Sequence, residues 1–242
     1  MSTAFSDDQY DSAYADGADR YWWSLARNRR IEKLMATLAA QGPALEIGCG
    51  RGLVVAALRK HGVDCRGVEL APARPVAGME SFVLTGTDAF AMAPEERARY
   101  SRLLLLDVIE HLPEPEEFVA RLRSAFPNAR SLLVTVPARA ELWSNFDEHF
   151  GHFRRYDLAD LDRLANALRA RVASSGYFFR ALYLPGLAVA RSGRGRATRI
   201  VPPSGAFSSW LHRMVGAAMG LVDAVLPAKI PGSSAYACYE LD

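Results

Sequence analysis

One stretch, Ala44 to Gly52, reading Ala-Leu-Glu-Ile-Gly-Cys-Gly-Arg-Gly, constrains the fold more than any other. An apolar run ends there in glycines at positions 48, 50 and 52, which permit a tight strand-to-helix turn and close approach of backbone to a ligand. Such a turn belongs at the carboxyl end of the first strand of a doubly wound α/β sheet, where nucleotide-like cofactors bind. The dinucleotide fingerprint G-x-G-x-x-G/A wants a small residue at position 53, and this chain has Leu53. Its own spacing is G-x-G-x-G, with the carboxylate of Glu46 just ahead.

In this motif the chain resembles class I S-adenosylmethionine-dependent methyltransferases, whose first motif is an acidic residue followed by these three glycines. The cofactor's chemistry agrees: it has a ribose diol, an ammonium and a sulfonium but no phosphate, and so asks for carboxylates and bare backbone. Glu69 closes a second apolar strand, Val63 to Leu70, about 20 residues past the first glycine, where a Rossmann-like sheet places an acid for the ribose hydroxyls. Asp88 follows the third strand; the resemblance implies that it accepts from the adenine amine while the Ala89 backbone donates to a ring nitrogen, although Asp is also a common turn former. The expected cofactor set is Glu46, Gly48, Cys49, Gly50, Gly52, Glu69, Leu70, Asp88, Ala89, Asp107 and Val108.

At 242 residues the chain suits a single domain with its own core. Within it, residues 1–40 read as an N-terminal extension and lid helix, 138–156 as an active-site insertion, and 187–232 as a basic loop with an amphipathic helix. A formal charge of +2, from 29 basic and 27 acidic residues, selects no nucleic-acid partner. Cys49, Cys65 and Cys238 form no metal-spaced pair, which favours free thiols in a reducing cytoplasm. The polar, acidic segment from Met1 to Gly17 reads as a mobile start without an export signal, and Met214 to Leu226 is too short to span a bilayer. A soluble protein is expected.

Helical spacing of Ile31, Leu34, Met35 and Leu38 predicts a leading helix over Tyr21 to Leu38, with Arg27, Arg29 and Arg30 on its other faces. Trp22 and Trp23 read either as a lid over the cofactor site or as packing on the sheet edge. From Ala44 strands and helices alternate: a helix over Leu53 to Lys60, a short or broken one over Ala71 to Glu80, a strand from Phe82 to Thr87, and a central strand from Arg102 to Val108. A helix over Pro113 to Phe126, a strand from Leu132 to Pro137 and a helix from Asp157 to Arg171 follow. Gly176 to Leu184 and Ser234 to Leu241 read as the last strands, separated by a helix with Leu211, Met214, Ala218, Leu221 and Val225 on one face. Periodicity predicts an α/β sheet. The resemblance implies seven strands, mostly parallel, with an antiparallel last one.

Two segments carry further chemistry. Leu106 to Leu112, reading Leu-Asp-Val-Ile-Glu-His-Leu, looks like the fourth motif of the same enzymes, especially those resembling ubiquinone-biosynthesis O-methyltransferases. It implies that Asp107 orients the methionine ammonium and that His111 stands near the acceptor as a base, against the plainer reading of a core or capping histidine. Asp107, Glu110 and His111 are all metal-ligating types, yet three ligands in one short loop assign no metal. Leu142 to Tyr156 resembles a signature of bacterial methyltransferases, a Trp, an Asp and then Gly-His-x-Arg-Arg-Tyr. There His149 or His152 reads as general base, and Trp143, Arg154, Arg155 and Tyr156, with Trp22 and Trp23, as substrate-binding residues. A compatible structural reading pairs Asp147 with Arg154 or Arg155 and buries His152.

The reading is thus methyl transfer from S-adenosylmethionine, first to oxygen, on a small or lipid-linked acceptor. A non-catalytic cofactor-binding or scaffold subunit is the alternative, and a nicotinamide-dependent oxidoreductase a more distant one. The basic loop and amphipathic helix admit peripheral membrane contact or simple packing on the sheet.

Overall fold

Alternation of side chains along one wholly buried strand, Arg102–Leu106 (β4), sorts the core into two layers. Leu103 and Leu105 face one hydrophobic cluster, and Leu104 and Leu106 the other. The computed structural model describes residues 5–241. In chain order its strands are Ala44–Ile47 (β1), Cys65–Glu69 (β2), Val83–Thr85 (β3), β4, Ser131–Pro137 (β5), Ala170–Phe178 (β6) and Ser234–Leu241 (β7). They form one sheet in the order β3-β2-β1-β4-β5-β7-β6. β3 through β5 are parallel, and β7 runs antiparallel to both β5 and β6. Strand order reverses between β1 and β4, so a crevice opens at their carboxyl ends.

The helices are Asp7–Ala13 (α1), Trp22–Thr37 (α2), Leu53–Lys60 (α3), Pro94–Arg97 (α4), Pro115–Ala125 (α5), Asn145–Phe150 (α6), Leu158–Leu168 (α7), Tyr183–Ser192 (α8) and Ala206–Val225 (α9). Ile31, Leu34 and Met35 of α2 and Val54, Val55 and Leu58 of α3 cover one sheet face. Val119 and Leu122 of α5 and Leu161, Leu164 and Leu168 of α7 cover the other. None of the helices among the described residues is long and apolar enough to cross a membrane.

Several expectations are corrected by this architecture. Ser6 caps α1 with a reciprocal bond to Gln9, so the acidic start is helical from Asp7, while Met1 to Ala4 lie outside the described residues. Residues 71–80 form no helix, in keeping with Pro72 and Pro75. Arg169 takes a left-handed conformation (φ 49°) and ends α7, so the sixth strand begins at Ala170; Phe179 (φ 55°) then turns the chain toward α8.

The amphipathic helix is reversed relative to simple sheet packing. Leu211, Met214, Ala218, Leu221 and Val225 all face outward, and α9 lies on α2 through its opposite side. Gly216 permits that approach, because a Cβ there would sit 2.9 Å from the Trp22 carbonyl oxygen. Asp223 anchors the far end by accepting from the Phe179 and Arg180 amides at 2.7 and 3.1 Å and pairing with the buried Arg180 guanidinium.

Leu104 is fully buried on β4. Leu104→Ala is expected to destabilise the protein by about 2–5 kcal/mol in urea unfolding, through lost transfer energy and a residual cavity.

Candidate functional site

The crevice between β1 and β4 opens into a cavity of about 750 Å³. Its floor is the glycine turn, whose shape is set by backbone rather than side chains. Gly52 (φ 83°) caps α3, and a Cβ there would meet Val83 at 2.5 Å; Gly50 (φ 56°) leaves room for the Tyr14 hydroxyl, 2.1 Å from where a Cβ would stand. Cys49 packs its sulfur over Gly67, and burial pushes its thiol well up, so it fills space instead of serving as a nucleophile.

Three acids gather at adjoining strand ends. Asp107, just past β4, adopts a left-handed backbone (φ 59°), donates its amide to the Thr135 carbonyl at 2.8 Å, and pairs with Arg27 at 2.7 Å. Arg27 is therefore buried under the site and not on an outer face of α2. Glu69 accepts from the amides of Gly50 (2.8 Å) and Ala71 (3.0 Å), which lock the turn to β2. Glu46 is buried, and its Oε2 has no hydrogen-bond partner. Burial pushes its carboxyl up to about 8; the Arg27 charge opposes this, and Glu69 and Asp107 reinforce it.

Of the expected cofactor residues, Glu46, Gly48, Cys49, Gly50, Glu69, Leu70, Asp88, Ala89, Asp107 and Val108 line the cavity, whereas Gly52 shapes the turn from behind. Asp88 Oδ1 also accepts from the Phe90 amide at 2.9 Å, so the turn-forming reading holds for that oxygen. Phe5, Tyr10 and Tyr14 add a wall that sequence reasoning missed, since it lies in the segment read as mobile. Burial and then the Glu69 charge raise the Tyr10 phenol, which hydrogen-bonds to Glu69. Trp22 and Trp23 line the cavity beside Phe179, Trp23 stacking on it with ring centroids 5.9 Å apart.

The insertion is built around Asp147, whose side chain is fully buried. It accepts from Arg155 Nε (2.8 Å) and Nη2 (3.0 Å), from His152 Nδ1 (2.8 Å) and from the Ser144 amide (2.9 Å). Burial alone would raise this carboxyl, but the His152 and Arg155 bonds overcome it and hold it below its ordinary value. An ionised Asp147 is acceptor-only, which places the hydrogen of neutral His152 on Nδ1 and the lone pair on Nε2. His152 and Arg155 reach the cavity wall.

His149, Trp143, Arg154 and Tyr156 do not line it. The Tyr156 hydroxyl donates to the Ile109 carbonyl inside the core, Arg154 is spent on the Pro113 carbonyl, and the His149 ring packs edge-on against Phe150 with its Nε2 3.9 Å from Asp8. Arg155 faces inward on Asp147 and the Ala138 carbonyl, and the cavity's edge instead carries Arg196, stacked over Phe146 at 4.2 Å, together with Arg121 and Arg199.

His111 also lines the cavity, edge-on to the His152 ring at 4.8 Å. Burial, then the neighbouring His152, pushes it down to about 4, which leaves it neutral and a weak base at pH 7. Glu110 is fully buried with both carboxyl oxygens unpartnered, and burial followed by the Asp107 charge holds its proton well above the carboxylate range. Glu110, His111 and His152 each offer a ligand atom within 4.8 Å of the others, whereas Asp107 is taken by Arg27.

A seven-stranded sheet of this order with a carboxylate-lined crevice at its switch point defines a Rossmann-like, nucleotide-cofactor enzyme of the class I methyltransferase type. A model of the methyltransferase-domain family matches residues 19–174, and the chain belongs to that family. It is 29% identical over 104 residues to the mitochondrial ubiquinone biosynthesis O-methyltransferase of Arabidopsis thaliana, a match covering 38% of this chain and 31% of that protein. The chain thus spans about a third of the curated relative's length. Among solved structures it is similar to a SAM-dependent methyltransferase from Archaeoglobus fulgidus (TM-score 0.53, 16% identity, 88% of this chain and 92% of that one). It is also similar to the CcbJ methyltransferase of Streptomyces caelestis (TM-score 0.55, 15% identity, 100% and 99%). A third is the phosphoethanolamine N-methyltransferase 2 of Haemonchus contortus in complex with S-adenosylhomocysteine (TM-score 0.59, 13% identity, 100% and 60%). At these identities the likeness is one of fold.

Two outcomes follow from this geometry. Asp147→Asn leaves the Arg155 charge buried without a counter-ion and is expected to cost about 3–5 kcal/mol in denaturant unfolding. Because Glu46 is raised, its contribution to stability is present at low pH and is lost as pH rises toward about 8. A cationic ligand seated at Glu46 displaces its proton. Calorimetry of S-adenosylmethionine binding at pH 7 in two buffers of different ionisation heat is expected to show proton release, and equal heats in both buffers would show that Glu46 takes no part.

Proposed function

We propose that this methyltransferase transfers the cofactor's methyl group to a hydroxyl oxygen on a small or lipid-linked acceptor. The observation that carries the reading is the Asp147–His152 hydrogen bond at the cavity wall, since a base is needed when the nucleophile must shed a proton as the new bond forms. The Arabidopsis relative is named an O-methyltransferase, which supports oxygen as the accepting atom.

The residues present fit S-adenosylmethionine. Glu46 offers an unpartnered buried oxygen to the ammonium, Glu69 and the glycine backbone suit the ribose, and Asp88 with Ala89 suits the adenine. When bound, the cofactor supplies an electrophilic methyl group on a sulfonium for in-line displacement. The chain's part is alignment, which can contribute about 7–11 kcal/mol, and exclusion of water by Tyr10, Tyr14, Trp22 and Trp23. His152 Nε2 takes the hydroxyl proton, and Asp147 at Nδ1 stabilises the imidazolium that results. Leu142, Phe146, Phe150 and Val189 suit an apolar acceptor body, and Arg196 an acidic group upon it. The free, buried state of all three cysteines fits the cytoplasmic location proposed.

A second reading rests on the orphaned Glu110 carboxyl, which with His111 and His152 can hold a divalent ion against the acceptor oxygen. Loss of turnover on chelation, restored by Mg²⁺, would select it over the dyad.

Transfer of labelled methyl from S-adenosylmethionine into cell extract is expected to give an O-methylated product. His152→Ala is expected to lower that turnover by about 10²–10⁴-fold with cofactor affinity unchanged. Label on nitrogen or carbon, or undiminished turnover in the variant, would overturn the proposal.

A further inference from the structure

Outside the cavity, the strongest unassigned feature is the outer surface of α8 and α9. Along α9 the outward positions are Phe207, Trp210, Leu211, Met214, Leu221 and Val225, three of them at least 65% exposed: Phe207 at 76%, Leu221 at 65% and Val225 at 73%. Leu184 on α8 and Val201 between the helices are exposed as well. This face is not loose. Gly216 packs against α2, His212 Nδ1 accepts from the Trp22 amide at 3.1 Å, and Asp223 is bound to Arg180, so the ridge is held flat against the protein.

Its charge is equally one-sided. From residue 181 to 233 the chain carries Arg191, Arg194, Arg196, Arg199, Arg213 and Lys229 against a single acid, Asp223, which is paired inward. The whole protein has a formal charge of only +2, so the remainder is net acidic. Arg191, Arg194, Arg199, Arg213 and Lys229 are exposed.

We propose that α8, the basic loop and α9 form a docking face for an anionic lipid bilayer, with α9 lying in the plane of the surface. Apolar side chains on a rigid helix supply the burial, flanking arginines the attraction to acidic headgroups, and the stacked pair Phe207 and Trp210, with ring centroids 5.9 Å apart, an interfacial anchor. A second copy of the chain fits this face less well, because an isologous pairing would set its arginines against those of its partner. The same segment also frames the active-site cavity: Pro185 and Val189 of α8 and Arg196, Ala197 and Ile200 of the loop line it. A bilayer seated here would adjoin the cavity's mouth. The docking does not depend on which atom accepts the methyl group.

Co-sedimentation of the full chain with phosphatidylcholine vesicles, alone or mixed with phosphatidylglycerol, tests it. Binding is expected to the mixed vesicles, weakening as salt is raised. The pair Phe207→Glu and Leu221→Glu, and separately Arg194→Glu with Arg213→Glu, are each expected to lower vesicle affinity by about tenfold or more. Unchanged S-adenosylmethionine affinity in these variants verifies that they fold. Failure to sediment with the mixed vesicles, equal binding to both kinds, or a stable dimer in solution that Phe207→Glu with Leu221→Glu splits would each overturn the proposal.

Discussion

Three carboxylates, Glu46, Glu69 and Asp107, converge at the carboxyl ends of β1, β2 and β4, and the site depends on how their mutual repulsion is relieved. Arg27 reaches up from α2 and neutralises Asp107. Backbone amides of the glycine turn and of Ala71 satisfy Glu69. Glu46 is left with an unanswered oxygen in a buried setting, which is why its carboxyl is displaced toward neutrality. On the proposed reading, this is the acid held in reserve for the cation that the cofactor brings. α2 is accordingly part of the binding floor as well as a cover for the sheet.

Much of this was legible in the residues because the controlling interactions are local. The glycine turn, α3 over Leu53–Lys60, β4 and β7 follow from spacing, apolar continuity and the cost of leaving a doubly covered strand wet. Asp147 pairing with an arginine and burying His152 was likewise visible in the insertion's composition. What could not be read is non-local. Arg27 looks like its neighbours Arg29 and Arg30 until the strand ends are assembled above it. Tyr10 and Tyr14 sit in an acidic, loop-like stretch whose helix is tied down by distant bonds, Gln9 to the His149 carbonyl and Ile200 to the Ser12 carbonyl. β6 is an edge strand carrying Arg171, Ser174 and Ser175, and its pairing with β7, not a hydrophobic pattern, makes it a strand.

The reversal of α9 has the same origin. Periodicity identifies a two-sided helix but does not say which side turns inward. Here the side with Ser209, His212, Gly216 and Asp223 packs on the protein, because a small residue allows close approach to α2 and polar groups find partners at Trp22 and Arg180. The larger apolar side chains remain outside. The helix therefore leaves an exposed apolar face on the side away from α2.

The account rests on Glu46 as the group that answers the cofactor's ammonium. A calorimetric cycle tests this most directly: S-adenosylmethionine and an analogue lacking the α-amino group, each titrated into the native protein and into Glu46→Gln. The account predicts that losing the amino group costs about 1.5–3 kcal/mol in the native protein and little in the variant, as expected for one charged hydrogen bond. An equal cost in both proteins would contradict it.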